Sequence, residues 1–516
     1  MLSLRGGYSV RRGKRKSIRN EPYQIPTATE SHEAFFSLEQ NKEYLNSKFY
    51  HTEDIKFRNI TIENIACILA YLDPLVDEDK LQKTIMKPLM EKNKLDIEDT
   101  VTSKEYRRSM NLNEAITALT KGFVAFFIEG HQHFYLLEAF SASSRPVSEP
   151  INEQVVRGSH EGFVENIMQN LQMLRRRIEN PNLVIRFFKV GKTTDTKLAI
   201  IYLQHLVNPN LIQEVEKRIT AIKTDSIQTP GYVEEFIEDS PFSPFPQMLS
   251  TERPDRLTAH IIEGRIGLLM EGSPSTLIMP VTFFAFYQSP EDYNSRWYIG
   301  SILRLIRVAS FIFALGLPSL YIATVSFHSE VLPAELILNI KSSLENVPFP
   351  PLLEAFIMQI ILELLREAAI RLPGPIAQTI GIVGGLVIGT AIVEANLVSN
   401  MMIIVVALTA ISSFAVPSYE MSMSIRLLGF PLMLLSASFG FIGLVFGLSI
   451  ILIHLCSLET FGTPYFSPLA PFRLNELKDS IVRLPRWLLR ERPTEVHAQY
   501  RKQEWRSRRW KKNEND

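Results

Sequence analysis

The carboxyl-terminal third of this chain holds several long apolar stretches, and the first 300 residues hold none. Residues 308–327, 376–393, 401–416 and 427–456 each lack Lys, Arg, Asp and Glu. A helix needs about 20 apolar residues to cross a hydrocarbon core of roughly 30 Å. Two of the stretches reach that length alone, and the others approach it with their polar flanks. The expected fold class is an α/β amino-terminal soluble region of two subdomains followed by an α-helical multi-span membrane domain. The expected divisions are a basic flexible arm (1–40), two cytoplasmic α/β subdomains (41–155 and 156–295), a helical transmembrane domain (296–457) and a basic cytoplasmic tail (458–516).

Formal net charge is zero, but the charge is unevenly placed. Arg5, Arg11, Arg12, Lys14, Arg15, Lys16 and Arg19 precede the first acidic residue, Glu21. Arg506, Arg508, Arg509, Lys511 and Lys512 crowd the tail. Short basic segments near membrane ends stay cytoplasmic and meet anionic headgroups, so lipid contact or a solvated arm is expected, and nucleic acid is not. No apolar h-region follows the basic start, which also points to a cytoplasmic soluble portion. Cys67 and Cys456 are too few for a Cys-based metal site, and no disulfide is expected.

Residues 41–119 read as helical, as in 64–72 and 112–119. The runs 123–128 and 133–139 read as a β-hairpin, as do 183–190 with 197–203, and 266–270 with 276–280. Residues 163–178 read as an amphipathic helix. Gly122-Phe-Val-Ala-Phe-Phe-Ile-Glu-Gly130 aligns without a gap on Gly264-Arg-Ile-Gly-Leu-Leu-Met-Glu-Gly272. Either these are two unrelated apolar runs, or two related subdomains meet near residue 155, with a cleft able to take a ligand or partner. Ser289-Pro-Glu-Asp-Tyr293 has the chemistry of a helix start. The helix is expected to carry Arg296, Arg304 and Arg307 into the first apolar stretch, and those arginines favour a cytoplasmic entrance.

Val190-Gly-Lys-Thr-Thr194 has the ending of a phosphate-binding loop, but Arg186 stands where the loop needs its first glycine. No HExxH pair, nucleophile elbow or Cys/His cluster appears, so neither an enzyme nor a bound cofactor is expected. In the apolar half, Ala377, Gly381, Gly385 and Gly389 recur every four positions. Small residues so spaced let helix backbones approach closely in lipid, within one subunit or between subunits. Residues 351–370 are apolar but carry Glu354, Glu363, Arg366 and Glu367. They form either a surface helix or the lining of a polar path. Four spans, with 351–370 interfacial or re-entrant, put both basic ends in the cytoplasm, whereas a fifth crossing would put the tail outside.

An ordered series of motifs carries a resemblance. It comprises Val156-Arg-Gly with Glu161-Gly-Phe163, Leu174-Arg-Arg-Arg-Ile178, Pro244-Phe-Pro246, Thr251-Glu-Arg-Pro-Asp255 and Glu263-Gly-Arg265. It continues through Ser289-Pro-Glu-Asp-Tyr293, Arg366-Glu-Ala-Ala-Ile-Arg-Leu-Pro373, Gly381-Ile-Val-Gly-Gly385, Val405-Val-Ala-Leu-Thr409 and Thr463-Pro-Tyr465. Over roughly residues 40–475 the chain resembles the A subunit of GerA-family spore germinant receptors. The resemblance implies a protein of the spore inner membrane, partnered by a transporter-like B subunit and a lipoprotein C subunit. It implies a homo-oligomer that acts as a ligand-gated ion channel. A departure from the family pattern is Ser329, in a loop where relatives often have His-Pro-Glu.

A non-conducting scaffold that docks the other subunits is the rival reading. For the channel, the ridge Gln378, Ile382 and Leu386 lies about one position from the glycine strip. It is the expected conduction path, with Glu363 and Glu367 at its mouth, and it faces lipid or another helix on the alternative reading.

Overall fold

The computed structural model describes residues 32–92, 106–141, 149–150, 152–345, 347–373, 385–387, 389–474 and 476–503. The amino-terminal half contains two five-stranded antiparallel sheets with the same topology. The first comprises β1 (Ile55–Ile62), β2 (Ile65–Leu72), β3 (Tyr106–Ser109), β4 (Phe123–Ile128) and β5 (Phe134–Glu138), in spatial order β1-β2-β4-β5-β3. The second comprises β6 (Leu183–Val190), β7 (Thr196–Leu203), β8 (Leu249–Thr251), β9 (Ile266–Met270) and β10 (Thr276–Met279), in order β6-β7-β9-β10-β8. The two aligned runs form β4 and β9, which occupy the same place in the two sheets. Their bounding glycines agree as well: Gly122, Gly130, Gly264 and Gly272 all have φ between 79° and 99°. A side chain is strained in that region, so glycine is needed at both ends of both copies.

The three expected hairpins pair as expected. Residues 64–72 do not form a helix. They form β2, paired along its length with β1. Glu63 and Asn64 turn the chain with φ of 51° and 64°, the two left-handed residues that a tight hairpin turn requires. Burial decided the outcome, because β2 is central, and its continuous apolar run has no alternation to mark it as a strand. The Gly-Lys-Thr-Thr run is the β6–β7 turn and leads into a strand rather than a helix, so it builds no phosphate loop.

The joint between the sheets is closed here by a buried ion pair. Arg175, in helix α1 (Ile167–Arg177), donates from Nε and Nη2 to Asp54, both at 2.8 Å, and both residues are about 1% exposed. Thr52 accepts the Ile185 N–H at 3.0 Å beside it. A two-point contact of this kind fixes orientation as well as distance.

The carboxyl-terminal half is a helical bundle. Helix α2 (Pro290–Asn294) starts at Ser289 with a capping box, as expected. It stops after five residues, however, and does not run into the first apolar stretch. Ser295 and Arg296 are extended, and α3 (Trp297–Phe327) begins afresh. Helices α4 (Pro351–Arg371) and α5 (Asn400–Phe414) lie parallel. Glu354 near the start of α4 accepts the N–H of Ser399, the α5 cap, at 2.8 Å. Arg366, about 18 Å further along α4 at 1.5 Å per residue, donates to Ser413 at the far end of α5. Helix α4 is therefore a member of the bundle, not a helix lying across its end.

The last apolar stretch departs most from expectation. Residues 419–457 carry a break at Gly440, with φ 61° and ψ −137°. A Cβ on Gly447 would lie 2.5 Å from Leu432 Cδ1. In an unbroken helix those two residues would be about 22 Å apart. The stretch is therefore a helical hairpin, α6 (residues 419–439) and α7 (residues 441–457), folded at Gly440. The small buried residues Ser436, Gly443 and Gly447 let its arms close. At the turn, His328 stacks on Phe441 with ring centroids 4.5 Å apart, so the end of α3 meets the tip of the hairpin.

The hairpin makes two passes of a stretch expected to span once, and α4 packs among the bundle helices. Two helical elements, α3 and the 419–457 hairpin taken together, are long and apolar enough to cross a membrane. One buried apolar cluster runs unbroken from the second sheet (Ile185, Leu269, Ile278) into the bundle (Leu315, Ile425, Leu444).

Candidate functional site: the junction of head, first helix and tail

Asp292 lies in the short helix α2 and is fully buried. Its carboxylate accepts the Ser289 N–H at 3.2 Å, closing the capping box. It also accepts from Arg304 Nε at 3.0 Å and from Arg307 Nη1 at 2.7 and 2.8 Å. The two arginines sit three apart on α3, so they project from one face of that helix onto one carboxylate. These arginines, which favour a cytoplasmic entrance in the sequence, are buried and paired with Asp292 in the fold.

The tail enters the same cluster. Asp479 pairs with Arg304 Nη1 at 2.9 Å and accepts the Tyr293 hydroxyl at 3.1 Å. Its main-chain carbonyl accepts from Gln288 at 2.9 Å and also from Arg304. Arg483 donates to the carbonyls of Asp292 at 2.5 Å and Ser295 at 2.8 Å, and its own carbonyl accepts the Ser301 hydroxyl at 2.7 Å. Arg483 thus satisfies carbonyls exposed where the chain breaks between α2 and α3. Burial raises the Asp479 carboxyl above the ordinary range, and Arg304 partly offsets this. Burial and Asp479 together push the Tyr293 phenol up, so it remains a donor.

The aromatic run after β10 adds the apolar half of the joint. Phe283 lies within 5.4 Å, centroid to centroid, of both Phe311 on α3 and Phe466 in the tail. The Phe283 N–H donates to the Tyr465 carbonyl at 2.8 Å. Head, first long helix and tail therefore share polar and apolar contacts at one place. Such a joint makes the position of α3 depend on that of the head. The acidic partners of Arg304 and Arg307 are not visible from spacing alone, because Asp479 lies 175 positions from Arg304.

The other predicted residues are more scattered. Ala377, Gln378, Gly381 and Ile382 lie outside the described residues. Gly385 and Gly389 belong to the apolar helical segment Gly385–Glu394. Among the described residues, no atom beyond its own stretch of helix lies within 4 Å of a Cβ built on either. Leu386 is exposed. Glu363 is held by Arg366 Nη1 at 2.7 Å and Arg426 Nε at 3.0 Å, and Glu367 by Arg371 at 2.5 Å. Glu354 is fully buried, and its Oε1 has no hydrogen-bond partner. Among the described residues no group of three or more His, Cys, Asp or Glu is placed to hold a metal.

Comparison with known proteins gives a consistent result. The family described as Bacillus/Clostridium GerA spore germination protein matches residues 43–495. "Spore germination protein A1" of Bacillus subtilis (strain 168) is 38% identical over 452 residues, covering 86% of this chain and 92% of that one. "Uncharacterized membrane protein YfkQ" of the same organism is 37% identical over 465 residues, covering 89% and 91%. The crystal structure of the N-terminal domain of the A subunit of the Bacillus megaterium spore germinant receptor GerK3 covers 49% of this chain and 98% of its own, at 27% identity and a TM-score of 0.39.

Proposed function

Because this chain belongs to the GerA family of spore germination proteins, we propose that it is the A subunit of a nutrient germinant receptor in the spore inner membrane, and that copies of it assemble into the ion channel whose opening starts germination. The reading draws its main support from the family match, which runs through head, bundle and tail alike. The two helical elements of membrane-crossing length, taken with the family, point to a membrane protein. A transporter-like B subunit and a lipoprotein C subunit are its partners in this reading.

Head and tail share one joint, so they lie on one side of the bilayer, and the basic termini make that side the cytoplasm. With α4 and 376–393 both counted as crossings, the hairpin at Gly440 makes their number even, so this sidedness needs no interfacial helix. In the same reading, copies meet through the strip Ala377, Gly381, Gly385 and Gly389, whose two described positions face open space among the described residues. The ridge Gln378, Ile382 and Leu386 then lines the path. Movement of the head reaches α3 through Asp292, which a fully buried two-arginine contact holds rigidly.

One observation favours the rival reading of a non-conducting scaffold. Glu363 and Glu367, expected at the channel mouth, are both neutralised by arginines within the chain. Spores carrying Ile382→Ser decide between the two. A wetted constriction leaks ions, so poor dormancy or germination without nutrient supports the channel. Normal dormancy with normal nutrient response removes this ridge as the gate.

A further inference from the structure

A cavity lies next to the junction, outside the bundle. It holds about 500 Å³ and is walled on one side by the helix Pro254–Glu263 with the turn into α2, and on the other by tail residues 476–503. That is within the range of small-molecule sites.

In two wall groups, each more than nine-tenths buried, one side-chain atom makes no hydrogen bond. His260 is 8% exposed and its Nδ1 faces only Glu263, at 3.4 Å, and Glu495 is 7% exposed with Oε2 unsatisfied. Buried polar atoms are normally paired, so two orphans in one cavity wall mark a place where a further molecule fits. The charges give its sign. Most of the acids lining the cavity are already engaged: Glu263 with Arg265, Asp479 with Arg304, and Glu491 with Arg501. Several cations are not. Arg492 donates only to the carbonyls of Ile262, Tyr500 and Lys502. Arg490 makes one long bond to a carbonyl, at 3.4 Å, and Lys478 and Arg486 have no carboxylate partner among the described residues. The remaining positive charge is therefore concentrated on the tail side.

We infer that this cavity is a binding site for a small anion bearing phosphate or carboxylate groups, held by Arg486, Arg490 and Arg492 with His260 and Glu495 as hydrogen-bond partners. Guanidinium groups match both oxyanions in geometry. The inference is independent of whether the bundle conducts. An occupant would clamp the tail to the head beside Asp479, and so stabilise the joint that holds α3. Burial and the neighbouring Glu476 push the Glu495 carboxyl up to about 7, so near neutrality a large share of it carries a proton to donate.

The anion can come from solution or from a lipid headgroup, and the test separates the two. The full chain is placed in nanodiscs of phosphatidylcholine, and its melting temperature is followed as inorganic phosphate or citrate is added at fixed ionic strength. A saturable rise that grows logarithmically above the dissociation constant is expected, and it should weaken at least about fivefold in the Arg486→Gln/Arg490→Gln double variant. Both arginines are exposed, so the variant keeps its fold. A rise obtained with phosphatidylglycerol in the disc and no added anion, lost in the same variant, assigns the site to a headgroup. If sodium chloride reproduces every shift, or the double variant keeps them all, the inference is overturned.

Discussion

Replacing Asp292 with alanine removes the one carboxylate that faces both Arg304 and Arg307 in the buried joint. Arg304 keeps Asp479 as a partner, whereas Arg307 keeps only the carbonyl of Tyr287, at 3.3 Å. Breaking a buried ion pair by removing one partner costs about 3–5 kcal/mol, because the remaining charge stays desolvated. A unit of the head's size loses about 2–4 °C of melting temperature per kcal/mol, so a fall of roughly 6–20 °C is expected. Asp292→Asn keeps the shape and part of the capping but not the charge, and it should fall nearly as far. The Asp292→Leu/Arg307→Met double variant restores part of the loss, since an apolar pair leaves no buried charge on that side. Differential scanning fluorimetry in detergent would follow the melt, and limited proteolysis would report cutting near Ser295, where the chain between α2 and α3 is extended. A melting temperature within about 2 °C of wild type, with unchanged proteolysis, would refute the idea that this carboxylate holds the head to α3.

Three further outcomes follow from particular residues. Gly440→Ala places a Cβ 2.8 Å from His328 Cε1 at a φ and ψ that only glycine adopts easily; it should cost about 1–3 kcal/mol and lower the yield of a disulfide between cysteines placed at Leu432 and Gly447, whereas full cross-linking would contradict the hairpin. A Cβ on Gly385 meets no atom among the described residues beyond its own stretch of helix, so for Gly385→Leu monomer stability should hold while native mass spectrometry shows fewer oligomers; an unchanged oligomer population removes the strip as a contact between copies. Glu495 has a folded pKa raised to about 7 by burial and by Glu476, with Arg265 opposing. The stability it gives to tail docking is therefore present below its unfolded value and lost as pH rises through about 7. Protease protection of the tail should decline over that window in wild type and stay level in Glu495→Gln, and parallel profiles would contradict this origin.

Local chemistry was the part of the fold that the sequence made legible. The Ser289 cap, the three hairpins and the repeat bounded by Gly122, Gly130, Gly264 and Gly272 each depend on residues a few positions apart. Residues 64–72 misled because a central strand is apolar on both faces, and at that length it reads as well as a helix. The fold at Gly440 was hidden for a related reason. In a continuously apolar stretch hydropathy cannot see a reversal, and only the spacing of Ser436, Gly440, Gly443 and Gly447 hints at two closely packed arms. The junction was half visible. Arg304 and Arg307 drew attention as charges at the entrance of an apolar helix, but their meaning depends on Asp479 and Arg483, which only the folded chain brings near. Glu363 and Glu367 share one helical arc with Arg366 in the sequence, but their pairing with Arg366, Arg371 and Arg426 depends on rotamers and on a neighbouring helix.

The central claim is that copies of this chain form a conducting path. Its most direct test is electrical recording from the purified, oligomeric protein in a planar bilayer. The account predicts discrete single-channel currents that change in Ile382→Ser. A silent bilayer, with native mass spectrometry showing the oligomer intact after reconstitution, would contradict it and leave the chain as a scaffold.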